Sequence, residues 1–144
     1  MGRGEKKRKN KGSAGNNRKT GEEFLIHNAQ KEGVVETGSG LQFALLDEVS
    51  GQIPDLFSTV KIHQRALLLD GKVLEDTYRL NRPDEVKLEE LIEGLREGLQ
   101  LMTEGSRYKF WVPSELGWGH KGTGNKIPPN VVIVFDIRLL EIFS

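Results

Sequence analysis

Apolar positions recur at every second residue along TVKIHQRALLLDGKVLED (59–76). Val60, Ile62, Ala66 and Leu68 share one face with Gln64, and Asp70-Gly71 is a residue pair favoured in tight hairpin turns. The stretch predicts a β-hairpin. The same period of two marks LQFALL (41–46) through Leu41, Phe43 and Leu45, SRYKFWVP (106–113) through Tyr108, Phe110 and Val112, and VVIVFDIRLLEIF (131–143) through Ile133, Phe135, Ile137 and Leu139. The period changes in EELIEGLREGLQLM (89–102). There Leu91, Ile92, Leu95, Leu99 and Met102 keep helical spacing, with Glu89, Glu93, Arg96, Glu97 and Gln100 mostly on the other side. EEFLIHNAQKE (22–32) predicts a short helix with Phe24, Leu25, Asn28 and Ala29 near one face and Gly33 as its stop. VVETGSG (34–40), SGQIPD (50–55) and LNRPDE (80–85) read as turns or loops, and SELGWGHKGTGNKIPPN (114–130) as a long Gly- and Pro-rich loop. Four or five strands and one central helix, in an order that does not alternate strand and helix, predict an α+β fold: a curved antiparallel sheet wrapped around one short amphipathic helix.

The 144 residues suffice for one domain with a buried core. The formal net charge of zero is a cancellation: residues 1–20 carry +7 and residues 21–144 carry −7. The first 21 residues hold almost no large apolar side chain and predict a disordered basic tail. Such a tail suits contact with a polyanion such as RNA, DNA or a ribosome, or serves only to solubilise. No apolar segment follows it, so it does not read as a secretory signal, and a cytoplasmic protein is the expectation. No run of about 18 apolar residues argues for a membrane span. There is no cysteine, and the three histidines (His27, His63, His120) lack metal-ligand spacing.

GWGHKG (117–122) matches the glycine pattern of dinucleotide-binding turns, but it leads into Pro128-Pro129 rather than a helix, so the required context is missing. Ser106 and Ser114 lack a nucleophile-elbow context. Glu89, Glu90, Glu93 and Glu97 read as a solvated helix face. His120, in the Gly-rich loop, is the one histidine kept in view as a candidate. Trp118 and Ile127, by contrast, are large apolar residues inside that loop, which points to packing or to the wall of a concave site. With the helix start (Leu91, Ile92) and Phe135 they outline a pocket for an apolar ligand or a proline ring, without an acid–base pair.

Three runs, VKIHQRALLLDGKVLEDTY, ELIEGLREGLQLMTEGSRYKFWVPSELGWG and KIPPNVVIVFDIRLLEI, resemble the FKBP-type peptidyl-prolyl cis–trans isomerases, over about residues 38–143. VPSELGWG, KIPPN and VFDIRLLEI are the most specific pieces, and FLIHNAQKEGVVETGSGLQF is similar to the helix–domain junction of the bacterial Mip-like and FkpA-like members. The resemblance implies residues 1–21 as the tail, 22–37 as helix and linker, and 38–144 as the FKBP-like domain, with the short basic tail in place of the long dimerising N-terminal region of those relatives. It also implies a pocket between helix and sheet. Leu91 and Ile92 match the pair at the helix start whose second backbone N–H bonds the substrate carbonyl. Ile127, Phe135 and Trp118 match the loop aliphatic, the strand phenylalanine and the loop tyrosine. Departures are concentrated in the wall. The family tyrosine is Gln64, the Phe-Asp pair is Leu74-Glu75, the floor tryptophan is Leu95, a further phenylalanine is Asp84, and the arginine that steadies the aspartate falls at Leu80, with Tyr78 and Arg82 as substitutes in view. The activity implied by the resemblance is isomerisation of Xaa-Pro bonds in proteins and peptides. Such an enzyme would need no cofactor or metal, would have reduced activity, and would bind macrolides weakly or not at all. Ile92, Trp118, Phe135 and Glu75 would act on the turning bond, and Gln64, Leu74, Leu91, Leu95 and Ile127 would hold the substrate. The alternative is a non-catalytic, chaperone-like module that grips proline-containing or unfolded chains, tethered to RNA or ribosomes by the tail.

Overall fold

The computed structural model describes residues 2–143, with side chains from Ala14 onward. Its organising element is the long strand β3 (Thr59–Leu68), because one edge of it is continuous and the other is divided. Strand β7 (Ile133–Ile142) pairs antiparallel along its full length. On the other edge, β4 (Val73–Asp76) pairs with Arg65–Leu67 and β5 (Asp84–Lys87) with Thr59–Ile62. A one-turn helix, α2 (Thr77–Leu80), bulges between β4 and β5. The β3 backbone left unpaired at Gln64 is completed by Thr77, whose Oγ1 accepts from the Gln64 N–H at 2.7 Å and donates to its carbonyl at 3.3 Å. A buried backbone group needs such a partner, which explains a buried threonine at the start of α2. Strands β1 (Val35–Glu36), β2 (Gln42–Asp47) and β6 (Arg107–Val112) extend the sheet beyond β7 in the order β1-β2-β6-β7-β3-β4.

The alternation predicted for β3, β6 and β7 holds. Val60, Ile62, Ala66, Tyr108, Phe110, Val112, Ile133, Phe135, Ile137 and Leu139 face one core, against Leu95 and Leu99 of α3 (Glu93–Leu99) and against Met102. Three assignments differ. VVETGSG contains β1, which closes on β2 through Val35 and Phe43. LNRPDE runs into β5, because Pro83 stands just ahead of the first paired residue and leaves the ladder donors intact. The helix expected over 89–102 is shorter: Leu88–Glu90 form a 3₁₀ turn, Leu91 and Ile92 are extended, and the α-helix begins at Glu93.

The largest departure lies at the N-terminus. Helix α1 spans Gly2–Ala29, so the short helix expected at 22–32 begins earlier and ends three residues sooner. From Ala14 the helix is docked on the opposite face of the sheet, where Phe24 and Leu25 pack on Trp111, Val132 and Val134. A methyl built on Gly21 would lie 3.0 Å from Val132 Cγ2, so a glycine lets the helix approach this closely. At its C-terminal end, buried Asn28 donates to Gln42 Oε1 at 2.8 Å, and Gln42 Nε2 donates to the Leu25 carbonyl at 2.8 Å. The side chains of residues 1–13 carry six of the eight basic groups of the first 20 positions, and they lie outside the described residues. The polyanion-contact expectation rests largely on them and lies there too. Among the described residues no helix is long and apolar enough to cross a membrane.

Candidate active site

The register sets one row of residues across the concave face: Phe43, Phe110, Phe135, Ala66 and Glu75 are successive cross-strand partners. Two phenylalanines fill the middle of the row, and the small Ala66 leaves space beside Phe135. Helix α3 covers the filled part. Its sheet-facing glycines bring it close: a methyl on Gly94 would meet Val112 Cγ1 at 2.5 Å, and one on Gly98 would meet Phe110 Cε1 at 2.6 Å. Beside the covered part a cavity of about 380 Å³ opens, floored by Leu95, Ala66 and Phe135 and walled by Leu74, Leu91, Ile92, Trp118, Ile127 and Ile133.

Gln64, Leu74, Glu75, Leu91, Ile92, Leu95, Trp118, Ile127 and Phe135, the residues singled out from the sequence, all line this one cavity. Ile92 caps α3 with φ −60° and ψ 154°, and its carbonyl accepts from Leu95 and Arg96 at 3.0 Å. Among the described residues no group accepts from its own N–H. A backbone donor at a helix start, rigidly held beside an apolar cavity, suits an incoming carbonyl oxygen.

The loop from Gly117 to Asn130 carries Trp118 and Ile127 into the wall. It is closed by a Thr123–Ile127 bridge, with N–H to carbonyl distances of 2.9 and 3.2 Å, and at its base by the Asn130 N–H donating to the Gly119 carbonyl at 2.9 Å. Gly122 (φ +64°) is required there, because a Cβ would lie 2.1 Å from the Ile127 carbonyl oxygen. His120 is exposed and does not line the cavity.

Two departures from the family pattern prove to be partners. Gln64 Nε2 donates to Asp84 Oδ2 at 3.0 Å, so the two positions to which the resemblance gives a tyrosine and a phenylalanine form one polar corner. Glu75 is served by neither substitute considered for it. Tyr78 donates to Asp136 at 3.2 Å, and Asp136 alternates with Phe135 and so belongs to the opposite face of the sheet. Arg82 and Leu80 are exposed. The partner of Glu75 is Lys126, whose Nζ sits 3.6 Å from Oε2 across the cavity mouth, both side chains about half exposed. Lys126, Thr123, Glu90, Ala66 and Ile133 are lining residues that the sequence reading missed. Position 126 directly precedes Ile127 in a loop already assigned to the wall, which was the available signal.

On the opposite face Arg107 holds Asp136 bidentately, Nε at 2.8 Å and Nη2 at 2.7 Å. Its guanidinium is held charged first by that hydrogen bond. Burial, then the Asp136 charge, pushes the Tyr78 hydroxyl up to about 12. The Tyr78 ring stacks on His63 with centroids 4.9 Å apart. This cluster ties α2 to β7 and stands apart from the cavity.

Comparison with known proteins decides the family. Residues 51–140 match the model of the FKBP-type peptidyl-prolyl cis-trans isomerase domain, and residues 3–45 match that of the domain amino terminal to it. The chain belongs to the FKBP-type peptidyl-prolyl isomerase family. It is 43% identical over 126 residues to the FKBP-type peptidyl-prolyl cis-trans isomerase FkpA of Aeromonas hydrophila, covering 88% of this chain and 47% of that protein. It is 39% identical over 122 residues to the FKBP-type 22 kDa isomerase of Escherichia coli (strain K12), covering 85% of this chain and 59% of that one. The chain thus spans about half the length of these relatives. Among solved structures, FkpA from Escherichia coli superposes with a TM-score of 0.88 at 31% identity, covering 94% of this chain and 63% of that one. A peptidyl-prolyl isomerase from Pseudomonas syringae pv. tomato gives 0.85 at 27% identity, with 91% and 96% covered. The fold is therefore the FKBP fold. The basic N-terminal segment, read as standing in place of the family's N-terminal region, falls within the match to that region.

Proposed function

We propose that this chain catalyses cis–trans isomerisation of Xaa-Pro bonds in protein and peptide substrates, with activity narrowed by its altered wall. The observation that carries the reading is the apolar cavity with the unpartnered Ile92 N–H at its edge. Amide resonance sets a barrier of about 18–20 kcal/mol to rotation about a peptide bond, and the twisted transition state has lost that resonance. No nucleophile is required. A pocket accelerates the turn by binding the twisted form better than either planar form. The proline ring fits against Leu95, Ile127 and Phe135, which exclude water. The Ile92 N–H donates to the substrate carbonyl next to proline and fixes that end of the bond. The other end rotates beside Trp118, Phe135 and Glu75.

The altered wall works against full activity and against macrolide binding. Leu95 gives a smaller floor than the family tryptophan, a loss of about 1–3 kcal/mol of contact with substrate. The Gln64–Asp84 corner places polar groups where the resemblance gives aromatic surface, so weak macrolide affinity belongs to the same proposal. Exchange NMR or a protease-coupled assay on short Xaa-Pro peptides tests it. A concentration-dependent rate above that of solvent supports the isomerase, and a rate equal to solvent refutes it.

A second reading, holding of unfolded chains, has one observation in its favour. Phe57 (77% exposed) and Ile53 (57%) lie with exposed Val49 and Phe143 around one end of the sheet, where the 49–57 segment is bonded to Glu104 and Phe143 to Thr59. It predicts suppressed aggregation of a proline-independent client, lost on Phe57→Ser with peptide isomerisation unchanged.

A further inference from the structure

Helix α1 and the loop that forms the cavity wall grip each other reciprocally. Asn17 Nδ2 of the helix donates to the Pro129 carbonyl at 3.1 Å, and Asn130 Nδ2 of the loop base donates to the Ala14 carbonyl of the helix at 3.2 Å. A carbonyl only accepts, so both amide groups are oriented by their partners. Asn130 adopts φ 58°, a left-handed conformation that asparagine tolerates better than other side chains. Its backbone N–H closes the loop on Gly119, the neighbour of Trp118, while Pro129 follows Pro128 and Ile127. One residue therefore joins three things: the start of the loop, its end, and the outer helix. Gly21, seated against Val132 one turn along α1, holds the helix at the distance these bonds require.

We propose that Asn17 and Asn130 form a positioning clamp through which the docking of α1 sets the placement of Trp118 and Ile127, and so the substrate affinity of the cavity. Neither asparagine lines the cavity, and neither acts on the turning bond. Ile127 holds the proline ring in planar and twisted forms alike, Trp118 stands beside the rotating end, and the Ile92 donor stands on α3, which the clamp does not touch. A loosened loop thus raises KM through Ile127, and through Trp118 it lowers kcat by no more than a similar factor. Since α1 lies within the match to the family's N-terminal domain, the clamp also couples that domain to the catalytic wall.

The inference rests on the isomerase reading for its kinetic arm only. The test uses the whole chain with Asn17→Ala and with Asn130→Gly, which keeps the left-handed backbone accessible, and Glu23→Ala on the exposed side of α1 as the control. Both clamp variants are expected to raise KM by about 2–10-fold, the worth of one net hydrogen bond, with kcat equal or lowered by no more than that factor and the control unchanged. Amide hydrogen exchange supplies the arm that needs no activity: exchange at Asn130, Thr123 and Ile127 is expected to quicken in Asn17→Ala and stay slow in the control. Unchanged loop exchange overturns the clamp. So does a lowered melting temperature with unchanged KM, which is what a merely structural contact would give. Absence of isomerisation in the unaltered chain refutes the isomerase reading, and the exchange arm still decides the clamp.

Discussion

Gly98→Ala is a sharp test of how the cavity is built, because local and tertiary effects have opposite signs. In an isolated helix, alanine in place of glycine stabilises by about 0.8–1.0 kcal/mol. In the folded chain the new methyl would sit 2.6 Å from Phe110 Cε1 and 3.0 Å from Cδ1 and Cζ. Carbon contacts are comfortable at about 3.5–4.0 Å, so about 1 Å must be found. Phe110 is fully buried within the core cluster and cannot turn out to solvent. Overpacking of this kind costs about 1–3 kcal/mol, and the contact with three ring atoms places it toward the upper end. The net expectation is a loss of about 1–2 kcal/mol, or a melting temperature lower by about 2–8 °C for a chain of this size. The remedy open to the chain is to lift α3 from the sheet, which moves the Ile92 N–H. A misplacement near 1 Å can cost about 100-fold, so kcat/KM should fall by a factor of about 10–100. Thermal melting and peptide isomerisation measure the two effects. Gly15→Ala is the companion variant: nothing lies within 4 Å of its added methyl, and it should be neutral or stabilising. A Gly98→Ala protein that melts at or above the starting temperature with unchanged kcat/KM would refute the close-approach argument and the coupling of α3 to catalysis.

Leu95→Trp should raise kcat/KM by about 5–150-fold, by adding apolar floor worth about 1–3 kcal/mol, and no gain on any Xaa-Pro peptide would show that the floor is not the weak point. The exposed Lys126–Glu75 pair spans the mouth and is worth at most about 1 kcal/mol, so raising ionic strength should lower KM modestly, and Lys126→Met should abolish that dependence. Alkaline pH should destabilise the chain. The Tyr78 hydroxyl is raised to about 12 in the fold, so its contribution is complete below about pH 10, where both states are protonated, and is lost between about 10 and 12 as the unfolded chain ionises first. Tyr78→Phe should flatten a denaturant-midpoint profile in that window, and an unchanged slope would count against the assignment.

The elements legible in the sequence were those with one buried face. A strand such as Ile133–Leu139 must present alternate apolar residues wherever it lies in a sheet, so its pattern is written locally. Helix α1 was hidden for the complementary reason. Its docked stripe is Ala14, Asn17, Gly21, Leu25 and Asn28, correctly spaced for one helical face but poor in apolar side chains, because it is held by amide-to-carbonyl bonds and by a glycine's closeness. The strand β5 carries no apolar alternation strong enough to announce it, and its pairing depends on the edge that α2 leaves free on β3.

The sequence by itself determined the long strands, the sheet-facing helix and the apolar wall, since periodicity and the resemblance both act on residues near in the chain. Partnerships required the tertiary structure. Gln64 finds Asp84 across 20 positions, Glu75 finds Lys126 across 51, and Asn130 finds Ala14 across 116. A polar side chain states only that it needs a partner when buried, and the fold alone decides which backbone or carboxylate lies within about 3 Å to answer it.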